Sequence, residues 1–427
     1  MPAQPRSSCP AAATTRGARR GIALAVAGAV VLASLPLAAT AAEEPASPAS
    51  ISQLKDLTLE QLLDTKVTGA SKYEQPMSAA PAIVSILSSE DLKHYGHRTL
   101  ADALRGLRDF NITYDRNYQY LGVRGFGRPG DYNSRVLIMV DGHRINDNVQ
   151  DSGSIGTEFL LDVDLIDRVE IIRGPSSSVY GNNAFFAVIN VITRRGAGGG
   201  GAEVSGEAAS FDTYKGRFTY GNKLGRDVEL LLSGSFFDSH GPNRLFFPEY
   251  AASNGGQAVG LDGDQSRSGF LSLSWKSLTL QGGYITRVKG IPTDSFNTIF
   301  NDGGSRTVDR RGYADLKLAH EFEDTTRLVA RAYYDRYEYD GDYAITNALG
   351  AAMLSHDVAR GDRVGTDLQV TRQFFDRLTV AAGVEFRENL RQSQRNFDTL
   401  PFSENLSTNT PTRDVGVHAQ GEWSILP

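Results

Sequence analysis

R-V-E-I-I-R-G-P-S-S-S-V-Y-G-N-N-A-F-F-A-V-I-N-V-I-T-R-R, Arg168 to Arg195, is the stretch on which the fold turns. Val169, Ile171 and Ile172 form a short β-branched run. Gly174-Pro175 ends it, because proline fixes φ and lacks an amide donor. Gly181-Asn182-Asn183 permits a turn that needs positive φ. Val188, Ile189, Val191, Ile192 and Thr193 then read as a second strand, buried on both faces. Gly196 and the run Gly198 to Gly201 follow as a hinge. Upstream of the hinge the chain is compact and mixed in pattern; downstream, apolar and polar residues alternate.

The stretch is similar to the end of the plug domain of TonB-dependent outer-membrane receptors, whose pattern is roughly R-G-P-x-S-x-x-Y-G-x-x-A-x-x-G-V-I-N-I-I-T. Arg173, Gly174, Pro175, Ser177, Tyr180, Gly181, Ala184, Val188, Ile189, Asn190, Ile192 and Thr193 match it. Ala187 stands where that family usually has glycine, beside the bulky Phe185 and Phe186. A second stretch, L-G-V-R-G-F-G followed by S-R-V-L-I-M-V-D-G-H-R-I-N-D, resembles the family's I-R-G … V-L-V-L-V-D-G-x-R. Val136 to Val140 reads as a fully buried strand and Asp141-Gly142 as the tight turn after it. Nothing in either motif looks like a catalytic set, so folding the plug is reason enough for their residues. A phosphate-binding reading of the Gly122 to Gly127 run fails, since neither a following lysine nor a helical pattern accompanies it.

The 427 residues suffice for two domains. The net charge of −6 carries no basic bias and argues against nucleic acid as a partner. The one cysteine, Cys9, lies in the leader, so the mature chain is expected to have neither disulfides nor Cys-based chemistry. Residues 1–41 read as a signal peptide: Arg16, Arg19 and Arg20 precede an apolar run from Ile22 to Ala39, and Ala39-Thr40-Ala41 is a cleavage pattern. Residues 42–63 form a linker and one short helix, with Leu54, Leu57, Leu59, Leu62 and Leu63 near helical spacing. Residues 71–196 are the plug, 197–201 the glycine hinge and 202–427 the alternating region. Inside the plug, Ser88-Ser89-Glu90-Asp91 reads as a capped helix start, and Thr99 to Arg105 as a second helix with Leu100, Leu104 and Leu107 on one face. His94 and His97 have helical spacing for a metal pair but no third ligand, so a surface or capping role is the simpler reading.

From Ala202 onward about ten segments alternate, as in Val228/Leu230/Leu232/Gly234/Phe236 and Leu378/Val380/Ala382/Val384/Phe386. One apolar and one polar face is the signature of a membrane β-barrel strand, but a soluble sandwich has the same period. Connection lengths discriminate. Short links at Gly221–Arg226, Lys276–Ser277, Glu321–Asp324 and Phe375–Asp376 alternate with long ones at His240–Arg267, Lys289–Arg310, Asp340–Ala359 and Ser393–Thr412. A barrel has short turns on one side of the membrane and long loops on the other. The expected fold is therefore an α+β plug domain followed by antiparallel transmembrane β-barrel strands. The resemblance implies roughly twenty-two strands, so about ten amount to a partial barrel, and the chain is expected to be a fragment.

What the resemblance implies about function is uptake of a scarce bulky ligand, such as an iron–siderophore complex or cobalamin, across the outer membrane of a Gram-negative bacterium, without a cofactor and without covalent chemistry. The partners implied are TonB, outer-membrane lipid and a small-molecule ligand such as a metal chelate. The alternative is a passive outer-membrane binding protein or a truncated, non-transporting product. Asp64, Thr65, Lys66, Val67, Thr68, Gly69 and Ala70 sit where the family has its TonB-coupling segment, an exposed strand that pairs edge-on with its partner; a plain linker is the other reading. Arg124 and Arg173 match the family's arginines that lock plug to barrel by pairing with wall carboxylates. Tyr114, Arg116, Tyr118, Tyr120, Arg128 and Tyr132 surround a loop expected to point into the lumen, where they would suit an anionic or catecholate-like ligand. Packing of plug against wall explains the same residues.

Overall fold

The computed structural model describes residues 66–67, 72–73, 75–79, 82–198, 200–323, 325–375 and 377–424. The signal-peptide, linker and short-helix readings for residues 1–63 lie outside the described residues.

Lys66–Val67 (β1) pairs antiparallel with Gln75–Pro76 (β2). Ile83–Ser88 (β3) leads into Ser89–His94 (α1), and Leu100–Arg105 (α2) follows. Both helices begin with a reciprocal capping box. The Ser88 Oγ accepts from the Asp91 amide at 3.1 Å, and the Asp91 carboxylate accepts from the Ser88 amide at 3.0 Å. Thr99 and Asp102 repeat the arrangement at 3.1 and 3.2 Å. Leu100 and Leu104 are fully buried, as their spacing requires.

Phe110–Tyr114 (β4) and Gln119–Val123 (β5) make a hairpin. Val136–Val140 (β6), His143–Arg144 (β7), Ile166–Arg173 (β8) and Ala187–Thr193 (β9) complete a five-stranded sheet with β3, in the order β3-β8-β9-β6-β7. Only β6 and β9 run parallel. All five residues of β6 are buried, which is why the stretch shows no alternation. Between β8 and β9 lies more than a turn: Ser177–Tyr180 (α3) is one helical turn, flanked by Gly174 at φ 119° and Gly181 at φ 73°. Ala187 sits fully buried in the ladder, between Arg173 and Val136. Phe186 finds a partner in Phe126, with ring centroids 5.9 Å apart.

The wall is an eleven-stranded antiparallel sheet. Its strands are Gly201–Ala209 (β10), Thr213–Leu224 (β11), Val228–Ser239 (β12), Asp264–Trp275 (β15), Leu278–Gly290 (β16), Arg306–Phe322 (β17), Thr326–Thr346 (β18), Ala352–Phe374 (β19), Leu378–Thr399 (β20), Phe402–Asn409 (β21) and Thr412–Trp423 (β22). Arg244–Phe246 (β13) and Gln257–Val259 (β14) form a separate hairpin in the connection between β12 and β15. Strands β21 and β22 share one edge of β20 at different heights, so the sheet is ten positions wide. Register lines up apolar rows across it. Leu230, Leu273, Leu280, Leu316, Ala332, Thr366, Phe386 and Val415 are successive cross-strand partners. The large side chains of such rows stay exposed (Leu280 at 41%, Leu316 at 42% and Val417 at 77%), which only a lipid surface explains. Trp275, Phe322, Phe375 and Trp423 cluster at the end with the short connections, as an interfacial aromatic girdle.

Two of the four expected long connections are shorter than the sequence suggests. Strands β18 and β19 run for 21 and 23 residues and leave only residues 347–351 between them. Likewise β20 runs on to Thr399 and turns straight into β21. At about 3.3 Å per residue, β18 spans about 70 Å, against an apolar band of about 25 Å. The excess lies beyond the membrane, where the outward face is charged and the lipid-facing pattern is lost. Arg306, Arg310 and Arg360 there pair with Asp342 and Asp340.

The plug core extends into the wall: Leu231, Phe270, Ile285 and Tyr313 are buried in the cluster that holds Leu104, Ile138, Ile171 and Val191. Two wall glycines admit plug side chains. A Cβ on Gly283 would lie 2.3 Å from Leu160 Cδ2, and one on Gly361 would lie 2.0 Å from Asn148 Oδ1.

Candidate ligand cavity between plug and wall

The two motif stretches meet through Arg144. Its guanidinium donates to the carbonyls of Tyr180 at 2.6 Å and Asn182 at 2.9 Å, and to Asn183 Oδ1 at 2.7 Å. Burial lowers its pKa to about 10, yet these acceptors hold it in place. Asp141, at the tip of the β6–β7 turn, accepts from Thr193 at 3.0 and 2.7 Å and from Gln281 of the wall at 2.6 Å. Its role is to fasten the turn, as expected of a turn aspartate.

The same turn enters the wall's inner face. His143, 1% exposed, lies 2.8 Å from Asp335 and 4.0 Å from Asp315, stacked on Tyr313. Arg363 closes on Asp335 at 2.7 Å and donates to the Asn146 carbonyl at 3.2 Å. Arg331 holds Asp315 at 3.3 Å and donates to the Asp141 carbonyl at 2.9 Å. On β11, Lys215 and Arg217 reach Asp162 and Asp164 of the plug at 2.9 and 3.3 Å. On β16, Arg287 grips Asp264 at 3.0 and 3.1 Å and donates to the plug carbonyl of Asn117 at 2.8 Å. Thr157 donates to the same Asp264 at 2.7 Å.

The lock thus has its cations mainly on the wall and its acceptors on the plug. Arg124 is exposed, and Arg173 lies over the Phe110 ring at 5.6 Å; among the described residues neither pairs with a wall carboxylate. Arg173 faces its own strand neighbourhood, where burial lowers its pKa and Asp109 opposes the shift.

Above the lock a cavity of about 430 Å³ opens between plug loops and wall. Tyr118 and Tyr132 line it, as the sequence reading expected; Tyr337, Tyr339 and Tyr343 line the opposite side. The other expected ligand residues do not reach it. Tyr120 is buried and donates to Asp115 at 2.6 Å. Arg116 pairs with Asp262 at 3.3 Å and lies over the Tyr114 ring. Arg128 is exposed on the loop. Burial raises the pKa of Tyr118 and Tyr132, and Asp309 adds to the shift at Tyr118, so both phenols stay protonated donors near neutrality. Phe296 at the cavity edge holds φ 61°, a rare conformation for a bulky residue, and meets Tyr343 edge-on at 5.8 Å. Sequence reasoning passed over Tyr337, Tyr339, Arg311 and Asp357. A signal existed: Tyr333, Asp335, Tyr337, Tyr339 and Tyr343 all fall on one face at period two.

Of the expected coupling segment, Lys66 and Val67 are described, and Val67 is fully buried. Asp64, Thr65, Thr68, Gly69 and Ala70 lie outside the described residues. Just beyond, Lys72 and Tyr73 are strapped to the wall: Gln369 donates to the Lys72 carbonyl at 3.0 Å, and Tyr73 to Glu422 at 2.6 Å.

Residues 76–188 match the TonB-dependent Receptor Plug Domain family. The iron-regulated outer membrane virulence protein of Vibrio cholerae is 35% identical over 136 residues, 31% of this chain and 20% of that protein. The vitamin B12 transporter BtuB of Vibrio vulnificus is 30% identical over 185 residues, 42% of this chain and 29% of that protein. Among solved structures, the pyoverdine outer membrane receptor FpvA of Pseudomonas aeruginosa shares the fold with a TM-score of 0.64 at 14% identity, over 84% of this chain and 57% of that one. The ferric enterobactin receptor PfeA of the same organism gives 0.61 at 18% identity, over 85% and 57%. The chain therefore spans little more than half of these structures, and its matches cover under a third of the curated relatives. Residues 76–188 are thus a plug domain of the TonB-dependent receptor family, and the chain as a whole has the fold of the plug and part of the β-barrel of such outer-membrane receptors.

Proposed function

We propose that the protein takes up a scarce, bulky ligand across the outer membrane, with energy delivered through TonB. The ligand class is a metal chelate or a corrinoid of comparable size. The observation that carries this reading is the tyrosine-lined cavity bounded jointly by plug loops and wall. A ligand there touches both parts, so binding energy can bias the plug's position. Outside the cavity the plug is fastened largely by discrete ion pairs and hydrogen bonds such as Arg363–Asp335–His143 and Lys215–Asp162, which can be exchanged one at a time under force. No covalent step is required of any residue.

The coupling segment is Asp64 to Ala70. Replacing Val67 by proline removes an amide donor from it. In cells expressing the protein, the Val67→Pro variant is expected to bind a labelled ferric chelate or cobalamin at the surface and to lose accumulation. Accumulation at the wild-type rate would end the coupling assignment; absence of surface binding by wild-type cells would end the uptake reading itself.

A further inference from the structure

We infer that the ligand presents a carboxylate, or a planar oxyanion of the same shape, to Arg311 in the cavity; this rests on the uptake reading above. Arg311 lies on the inward face of β17, between Asp309 and Tyr313, and is 7% exposed. Among the described residues it makes neither a hydrogen bond nor an ion pair, although it lines the cavity. The other two cavity arginines are engaged, Arg287 with Asp264 and Arg310 with Asp340.

Two further donors of the lining are also without a partner among the described residues. The Tyr118 hydroxyl donates to Asp309, and the hydroxyls of Tyr339 and Tyr343 bond each other. Those of Tyr132 and Tyr337 have no acceptor among the described residues. Of the acceptors, Gln119 Oε1 has no donor among the described residues, while others are occupied. Asp147 receives the amides of Val149, Gln150 and Ser152; Glu158 receives those of Ile155 and Gly156. Asp357 stands apart. Arg311 registers with Tyr337 and Tyr337 with Gly361, so Asp357 lies four residues beyond that row, about 13 Å along β19 at 3.3 Å per residue.

A guanidinium withdrawn from water without an acceptor is costly. The fields of Asp147 and Asp335 reach Arg311, but that of Arg363 opposes them. The site therefore offers one planar cationic fork and two phenol donors that have no acceptor among the described residues. A carboxylate matches the fork in charge and in geometry, and its remaining lone pairs suit the two hydroxyls.

The test is calorimetric titration of the protein purified from outer membranes in detergent, with two probes: ferric citrate, which carries carboxylates, and a ferric trihydroxamate that carries none. Ferric citrate is expected to bind the wild type, and Arg311→Gln to weaken it by about tenfold or more, the worth of a charge-assisted bond. Arg311→Lys should recover part of the loss, since it restores charge without the fork. Trihydroxamate affinity should change less than about twofold in either variant. If Arg311→Gln unfolds the protein, Tyr337→Phe serves instead, with a loss of about fivefold expected for citrate alone. Unchanged citrate binding in these variants, equal weakening of both probes, or wild-type protein that takes trihydroxamate and not citrate each overturns the anchor and leaves uptake standing. Wild-type protein that binds neither chelate overturns the anchor and the metal-chelate form of the uptake reading together.

Discussion

The plug sheet and the wall solve opposite solvent problems with the same strand geometry. In the plug, β6 and most of β8 and β9 are covered on both faces, so their buried residues run on without alternation and even Glu170 and Asn190 are buried. In the wall each strand has one apolar face turned to lipid and one polar face turned to the plug. The lesson lies where they meet. The polar face of the wall buries charge largely as pairs, within itself at Arg363–Asp335 and Arg287–Asp264 and with the plug at Lys215–Asp162, so the interface is a ladder of specific pairs set in a limited apolar contact through Leu231, Phe270, Ile285 and Tyr313.

The largest effect is therefore expected from breaking a rung. Asp335→Ala strands both Arg363 and His143 and should cost about 3–5 kcal/mol of stability, read as a lower urea midpoint in detergent. A change under about 1 kcal/mol would mean that the plug–wall pairs behave as surface pairs. Next comes the contrast between the two sheets. Ile171→Ala, in the plug core, should cost about 2–5 kcal/mol, whereas Leu316→Ala, on the outward face, should cost much less in the same assay. Equal losses would contradict a lipid-facing row. Leu316→Arg sharpens the point from the other side: folding into lipid vesicles should weaken by about 2–4 kcal/mol, and by far less in detergent-free refolding if that face met water. The smallest effect belongs to a local signal. Thr99→Ala removes the α2 cap and should cost about 1 kcal/mol, measured by thermal melting.

Legibility followed locality. The capping boxes at Ser88 and Thr99 stood in four-residue windows, the buried strand β6 stood out as an unbroken apolar run, and β8 and β9 as short apolar runs interrupted by Glu170 and Asn190. Wall strands were readable wherever their outward face touched lipid. They ceased to be readable where β18 and β19 rise past the apolar band, because charged residues such as Glu338 and Asp340 replace the leucines while the backbone pairing continues. The site was less readable for a different reason. Tyr118 and Tyr132 could be picked out as aromatics on a plug loop, but Arg311 acquires its meaning from cross-strand register with Tyr337 and from Tyr132 of the plug, far upstream in the chain. The locking arginines show the same limit. Arg124 and Arg173 carry the motif, while the pairs actually formed rest on Arg217, Arg331 and Arg363, whose positions in an alternating strand look like any other polar position.

Leu160 against Gly283 and Asn148 against Gly361 make the plug and its wall a keyed fit. Exchanging plugs between receptors would thus be a matter of matching teeth to notches. A foreign plug would have to bring a large side chain to the gap at Gly283 and a short polar one to the gap at Gly361, and a wall with ordinary side chains at those two points would refuse this plug even if every charge were complementary.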